Sequence, residues 1–251
     1  MTKGFYQLTS GILSQSRRLN VVGNNMTNLS TAGYKAETYT DRTFQEVLIS
    51  RVGNKDKSGS TVIGEESYML AADQLYVNYD QGTMKETGLT LDFGIQGDGF
   101  FAIQTADGVE YTRSGSFCLD DQGRLALTGH GLVLGADGQP ITLSTDQITA
   151  DGWGNLYTLD GAYQGQLGVF TFADNAQLTK GESGLFQANG QQAQVQAQPE
   201  IMWKHVEESN VDMLQEMSRM LTAQRSLQSG TQVLKLYNEM LTKATSQIGQ
   251  M

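Results

Sequence analysis

The chain has 251 residues, 39% of them hydrophobic, which suits one large domain or two modest ones and is too little for a membrane protein. No apolar run approaches the roughly 18 residues that a membrane span requires. With 17 basic and 27 acidic residues the formal net charge is −10, which repels nucleic-acid backbones and anionic membranes, and a lone cysteine, Cys118, excludes an intramolecular disulfide.

Phe5, Leu8, Ile12, Leu19, Val22, Met26 and Leu29 are spaced alternately three and four apart, interrupted only by Gln15. This is the seam of a heptad-patterned helix. The spacing predicts a helix from about Gly4 to Asn28, because Asn24, Asn25, Asn28 and Ser30 gather near its end and Gly33 offers a left-handed exit. Ile12 and Leu13 stand among Ser10, Ser14, Gln15, Ser16, Arg17 and Arg18, with no continuous apolar stretch and no cleavage site. A cytoplasmic protein, or export by a route without a cleaved signal, is therefore expected. Asn25-Met-Thr27 and Asn28-Leu-Ser30 have the letters of glycosylation acceptors and read instead as helix-end polar groups packing on neighbours.

Residues 34–78 read as an extended connecting segment, with Gly53 to Ser60 as an exposed loop. A central β-domain is expected over 79–199. Twenty of the 29 glycines fall between Gly82 and Gly190, together with Asp-Gly pairs at 98, 107, 137, 151 and 160 and Asn189-Gly190. These pairs accept the positive φ of tight turns, so their recurrence between short apolar stretches argues an antiparallel meander. The expected strand cores are Leu91–Ile95, Phe100–Ile103, Phe117–Leu119, Leu132–Leu134, Asp151–Tyr157 and Gly168–Phe172.

Beyond Pro199, residues 200–251 are expected to form the second terminal helix, its first turn falling between 205 and 210 with Ser209 or Asn210 as cap. Val206, Met213, Met220, Leu227, Leu234, Leu241 and Ile248 recur at every seventh position. The row beside them, Asn210, Met217, Gln224, Thr231, Asn238 and Thr245, is mostly polar, so neither helix shows the wide apolar face of a core-facing helix. The fold class is α+β: paired terminal heptad helices and a central Gly-rich antiparallel β-domain. That is the plan of an assembly subunit rather than an enzyme.

The chemistry-bearing motifs support that reading. Gly97-Asp-Gly99-Phe-Phe-Ala102 has the letters of a dinucleotide fingerprint, but Ile103 to Gly108 continues as strand and turn where a helix is needed, so a hairpin turn explains the glycines. His130 and His205 lack partners at zinc-site spacing, and Glu207 and Glu208 read as solvated charges at a helix start. Ser114, Ser116 and Ser183 lie in no nucleophile elbow, and Cys118 sits in a strand between Phe117 and Leu119. Asp120, Asp121 and Gly123 read as a turn rather than a hydrolytic carboxylate pair. No catalytic, cofactor-binding or metal-binding residue is therefore assigned.

Leu19-Asn-Val-Val-Gly-Asn-Asn-Met-Thr-Asn-Leu-Ser-Thr-Ala-Gly-Tyr-Lys35 resembles the N-terminal signature of the flagellar basal-body rod and hook family. Gln81 to Gly88 leading into Leu91 to Phe101, Tyr111 to Phe117, Glu208 to Asp212, and Gln224-Arg225 agree in family order. The length and single β-domain look most like the proximal or distal rod proteins. The resemblance implies that the terminal helices pair as an inner tube domain, that the β-domain forms an outer layer, and that copies stack helically into the torque-transmitting drive shaft. It further implies location in the flagellum basal body, export through the flagellar type III apparatus, and partners that are further copies and adjacent rod or hook proteins. No nucleic acid and no membrane insertion are expected. The residues expected at subunit contacts are Phe5, Leu8, Ile12, Leu19, Val22, Asn24, Asn25, Met26, Asn28, Leu29, Gly33, Tyr34, Val206, Asn210, Met213, Met217, Met220, Leu227, Leu234, Leu241 and Ile248.

Other readings remain open at the level of sequence: a hook-like axial protein, a soluble export or assembly helper, and an extracellular β-domain that binds or cleaves carbohydrate. For the last, Trp153, Tyr157 and Tyr163 are the one aromatic cluster to test, and core packing is their simpler explanation.

Overall fold

The computed structural model describes residues 2–43, 46–52, 60–67, 70–106, 108–181 and 183–248. It divides into a helical unit, made of Met1–Met26, Glu37–Tyr76 and Asp212–Met251, and a β unit, made of Thr27–Ala36 and Val77–Val211. Terminal helices thus flank a central antiparallel β region in the sequence.

The helical unit contains α1 (Thr2–Thr27), β1 (Glu37–Thr43), β2 (Glu46–Val52), β3 (Ser60–Ser67), β4 (Leu70–Val77) and α2 (Met213–Ile248). Strand β1 pairs with β4, and β2 pairs antiparallel with β3, with a register irregularity between Ile49 and Ser50. The described residues of 34–78 are therefore largely paired strand rather than an extended connection. The expected loop at Gly53 to Ser60 falls, but for Ser60, outside the described residues. Helix α2 starts later than the sequence suggests. Asp212, not Ser209 or Asn210, is its cap: Asp212 Oδ1 accepts from the N–H groups of Leu214 at 2.9 Å and Gln215 at 3.2 Å, two donors that the first turn cannot otherwise satisfy.

The β unit is numbered along the chain as β5 (Met84–Glu86), β6 (Phe93–Gln96), β7 (Phe100–Thr105), β8 (Gly108–Thr112), β9 (Phe117–Leu119), β10 (Leu125–Leu127), β11 (Gly131–Val133) and β12 (Ile148–Ala150). It continues with β13 (Asn155–Thr158), β14 (Tyr163–Gln166), β15 (Val169–Thr171), β16 (Thr179–Lys180), β17 (Phe186–Gln187), β18 (Gln194–Val195), β19 (Glu200–Trp203) and β20 (His205–Glu207). The main sheet runs β16-β17-β8-β7-β11-β10-β9, with β15 and β18 branching from β7. Strands β12, β13 and β14 form a separate meander, while β19 pairs with β6 and β20 with β5. Residues 200–203 and 205–207, including Val206, are thus strands of the β unit, joined by Lys204 at φ +60°, and not the start of the second helix.

Each expected strand core overlaps an observed strand, but Asp151–Gly154 forms a turn with β13 beginning only at Asn155, and Leu91 and Asp92 precede β6. Strand β7 shows why its sequence carries no polar alternation. Phe101 and Ile103 point into one core with Phe93, Ile95, Leu125 and Leu156, while Phe100 and Ala102 point into another with Tyr111, Phe170 and Phe186. A strand buried on both faces reads as a continuous apolar run. The Gly97-Asp-Gly99 turn joins β6 to β7, which lie in different sheets, so it is no hairpin; a strand follows it, as a dinucleotide site would not allow. The Asp160-Gly161 pair does turn a hairpin, between β13 and β14, with Gly161 at φ +80°.

Candidate functional site

The most concentrated polar chemistry in the β unit is a cluster that sequence reasoning missed. Glu207 ends β20 with its side chain 1% exposed, and Lys35 Nζ donates to its Oε1 at 2.6 Å, also from a 1% exposed side chain. Arg113 Nη1 donates to Glu207 Oε2 at 3.3 Å from a side chain 3% exposed. The backbone joins in: Gly82 N–H donates to Glu207 Oε1 at 2.8 Å, Lys35 Nζ donates to the Asp80 carbonyl at 2.7 Å, and Gly33 N–H donates to the Glu207 carbonyl at 2.7 Å. Burial pulls the Lys35 ammonium below its usual pKa, with Glu207 opposing the shift, and burial does the same to Arg113. Arg113 lies 5.2 Å over the Phe100 ring, and its Nε has no hydrogen-bond partner among the described residues.

Around this cluster, three distant stretches are tied together. Asn210 Oδ1 accepts from Ala36 N–H at 2.7 Å, and Asn210 Nδ2 donates to the carbonyls of Asn78 and Asp80, both at 2.9 Å. Lys180 Nζ sits 3.7 Å over the Tyr34 ring. Gly33 has φ +69°, and a Cβ there would stand 2.2 Å from Ser114 N, so both conformation and space require glycine. The signal for this arrangement was present: Gly33-Tyr-Lys35, Tyr111-Thr-Arg113 and the Glu207 neighbourhood are the motif segments that carried the resemblance. Glu207 is buried rather than solvated as its sequence neighbours suggest, because its partners are remote in sequence, which periodicity does not reveal.

The helical unit holds the expected contact residues of α1 and α2. On α1, Val22 is buried, Leu8, Ile12, Leu19 and Met26 are half-buried, Phe5 and Asn24 are exposed, and Asn25 is buried. Asn25 Nδ2 donates to the Glu37 carbonyl at 2.8 Å and its Oδ1 accepts from Glu37 N–H at 3.0 Å, fixing where β1 begins. Ser14, one residue before the interrupting Gln15, is buried and donates to Asp41 Oδ1 at 2.7 Å; Arg18 donates to Asp41 Oδ2 at 3.0 Å. Asn28 and Leu29, half-buried, lie in the β unit with Gly33 and Tyr34.

On α2, Met220, Leu227, Leu234 and Leu241 are half-buried, Met213 and Met217 are exposed, and the Ile248 side chain lies outside the described residues. The shielded row beside them is Glu216, Ala223, Gly230 and Tyr237, one residue earlier than the polar row expected from sequence. At Gly230 an added Cβ would approach Ile12 Cγ1 to 3.1 Å, which marks a close approach of α2 to α1. Leu214, Leu221, Leu236 and Met240 remain more than half exposed on α2.

The chemistry-bearing candidates stay apart. Among the described residues, no group of three or more His, Cys, Asp or Glu side chains gathers as a metal site. His205 Nδ1 lies 2.8 Å from the Trp203 carbonyl, and Cys118 Sγ lies 3.4 Å from the Ala126 carbonyl. The Asp120 carboxylate accepts from Arg124 N–H and Gln122 N–H and pairs with the Arg124 guanidinium at 2.7 Å, so it is a turn lock and not half of an acid/base pair. Trp153 and Tyr163 are 61% and 59% exposed, which corrects the core-packing explanation for that cluster. Beside Tyr163 a groove of about 440 Å³ is lined by Asp137, Gln139, Thr142, Gln164 and Gln166, with one carboxylate and no opposing second one among the lining residues. No described helix is long and apolar enough to cross a membrane.

Comparison with known proteins places these segments in one family. Residues 5–35 match the family described as "Flagella basal body rod protein", residues 94–153 the "Flagellar hook protein FlgE/F/G D1 domain", and residues 204–248 the "Flagellar basal body rod FlgEFG protein C-terminal". The flagellar basal-body rod protein FlgG of Bacillus subtilis (strain 168) is 32% identical over 260 residues, covering 96% of this chain and 97% of that protein. The flagellar hook-basal body complex protein FlhO of the same organism is 29% identical over the full length of both chains. The flagellar basal-body rod protein FlgF of Rhizobium meliloti (strain 1021) is 29% identical over 99% of each. With its ends, its β-domain and its buried polar cluster all drawn from matching segments, the chain belongs to the flagellar basal-body rod protein family.

Proposed function

We propose that this protein is a structural subunit of the bacterial flagellar basal-body rod, and that copies polymerise helically through their terminal helices to form a torque-transmitting shaft. The observation that carries the reading is near-full-length similarity to a rod protein combined with apolar helix surface left exposed in the single chain: Met213, Leu214, Met217, Leu221, Leu236 and Met240 on α2, with Phe5 and Tyr6 on α1. Each such side chain covered by a neighbour contributes about 1.5–3 kcal/mol before ordering costs. The half-buried row Met220, Leu227, Leu234 and Leu241, with Glu216, Ala223, Gly230 and Tyr237 beside it, supplies a heptad seam at close helix spacing. Asn24 on α1, and Asn28, Leu29, Tyr34 and Asn210 in the β unit, complete the proposed contact set, whereas Val22 is already buried within the chain.

Such a role needs no catalysis and no cofactor, only many interfaces that resist shear together, with the β unit adding lateral contacts between copies. Export through the flagellar type III apparatus, residence in the basal body, and termini that order fully only on assembly follow from the same reading. The D1 match, whose description includes the hook protein, keeps a hook-like axial subunit as the second reading. Leu19→Asp or Leu227→Asp should abolish polymerisation of the purified chain while leaving the β-unit circular dichroism unchanged; polymers built normally by either variant would remove the seam assignment.

A further inference from the structure

The charges are unevenly divided. The helical unit holds 11 basic and 10 acidic residues, whereas the β unit holds 6 basic and 17 acidic. All six cations of the β unit are committed within it. Lys35 and Arg113 are buried on Glu207; Arg124 pairs with Asp120 at 2.7 Å and Lys85 with Glu208 at 3.2 Å. Lys180 covers the Tyr34 ring at 3.7 Å and Lys204 the Trp203 ring at 4.1 Å. By contrast Glu86, Asp121, Asp146, Asp160 and Glu200 are exposed and form no ion pair among the described residues.

Two such surfaces have carboxylates to offer each other and no uncommitted cation. We infer that the β units of neighbouring copies repel one another and that their close approach requires mobile cations, so that salt promotes assembly. The inference rests on the polymerisation reading above and adds how it is regulated. An assembly joined by ion pairs between copies weakens as salt is added, because screening removes attraction. Here screening removes repulsion, while apolar helix burial is left intact. The sign of the salt dependence therefore separates the two cases.

The test is the critical concentration for polymerisation of the full chain, measured by sedimentation between about 0.01 and 0.3 M NaCl, over which the screening length falls from roughly 30 Å to below 10 Å. The expected result is a fall of at least about threefold with rising salt. The triple variant Asp121→Asn, Asp146→Asn, Asp160→Asn, at three exposed carboxylates, should polymerise at low salt as the unaltered chain does at high salt. A critical concentration that rises with salt, or does not change, overturns the inference. Light scattering below the critical concentration gives an independent reading: the second virial coefficient should be positive at low salt and fall toward zero as salt is added. Absence of polymer at every salt concentration would count against the assembly reading, and the virial coefficient would still decide the repulsion; a value near zero at low salt refutes it.

Discussion

Lys35 Nζ lies 2.6 Å from Glu207 Oε1, with both side chains 1% exposed and the two residues 172 positions apart in sequence. A buried pair of this kind joins the exit of the first helix to the last strand before the second. Removing the anion leaves Lys35 and Arg113 as buried cations without a counter-charge, so Glu207→Ala should cost about 3–5 kcal/mol, read from urea denaturation. The double change Lys35→Met with Glu207→Leu should cost less than the two single changes together, because only Arg113, and not Lys35 as well, is then left without its counter-charge. A loss below about 1 kcal/mol for Glu207→Ala would show that the cluster is not holding the β unit together.

Gly115 and Gly33 are among the glycines whose close backbone approaches admit no side chain. A Cβ at Gly115 would stand 1.6 Å from the Phe93 carbonyl oxygen, and one at Gly33 would stand 2.2 Å from Ser114 N at a φ of +69°. Gly115→Ala and Gly33→Ala should each cost about 1–3 kcal/mol or more, since backbone must shift. Gly88, at φ +75° with open space around it, is the control; its alanine variant should lose only about 1–2 kcal/mol to left-handed strain. Thermal melts of the three variants should rank in that order.

Asn25 satisfies both backbone groups of Glu37. Asn25→Ala leaves the partly buried N–H and carbonyl of Glu37 without these partners, at about 1–3 kcal/mol for each group that water cannot reach. Hydrogen exchange should accelerate at the Glu37 amide first. Unchanged protection there would mean that the start of β1 is held by other contacts.

Acid should weaken the β unit through its turn carboxylates. Arg124 N–H and its side chain, with Gln122 N–H, hold Asp120 below the ordinary 3.8 against a smaller desolvation effect. At Asp151 burial opposes ionisation, but hydrogen bonds from Asn155 and Trp153 N–H together outweigh it, and this carboxyl also lies below 3.8. A folded pKa below the unfolded one gives stability that is present above pH 3.8 and lost as pH falls through the folded value. Urea midpoints should therefore drop on the acid side, and Asp151→Asn should flatten that drop.

The sequence made the terminal helices and most strand cores legible, because heptad spacing and Asp-Gly turns are local signals. The strands within 34–78 were not, since that stretch lacks the turn pairs that punctuate the later meander. Val206 falls in helical phase with Met213, but cross-strand pairing with Lys85 makes it part of β20, and phase alone cannot register such a partner. The Lys35–Glu207–Arg113 cluster was invisible as a cluster, yet each member sits in or beside a motif that carried the resemblance, so its physical role gives a reason for those residue types at those positions.

The central claim, that the chain is a structural subunit of the rod, is tested most directly by electron microscopy of basal bodies purified from cells with and without its gene. The account predicts a missing or truncated rod in the gene's absence, with the point of truncation marking the subunit's place along the shaft. Normal rods of full length would contradict it.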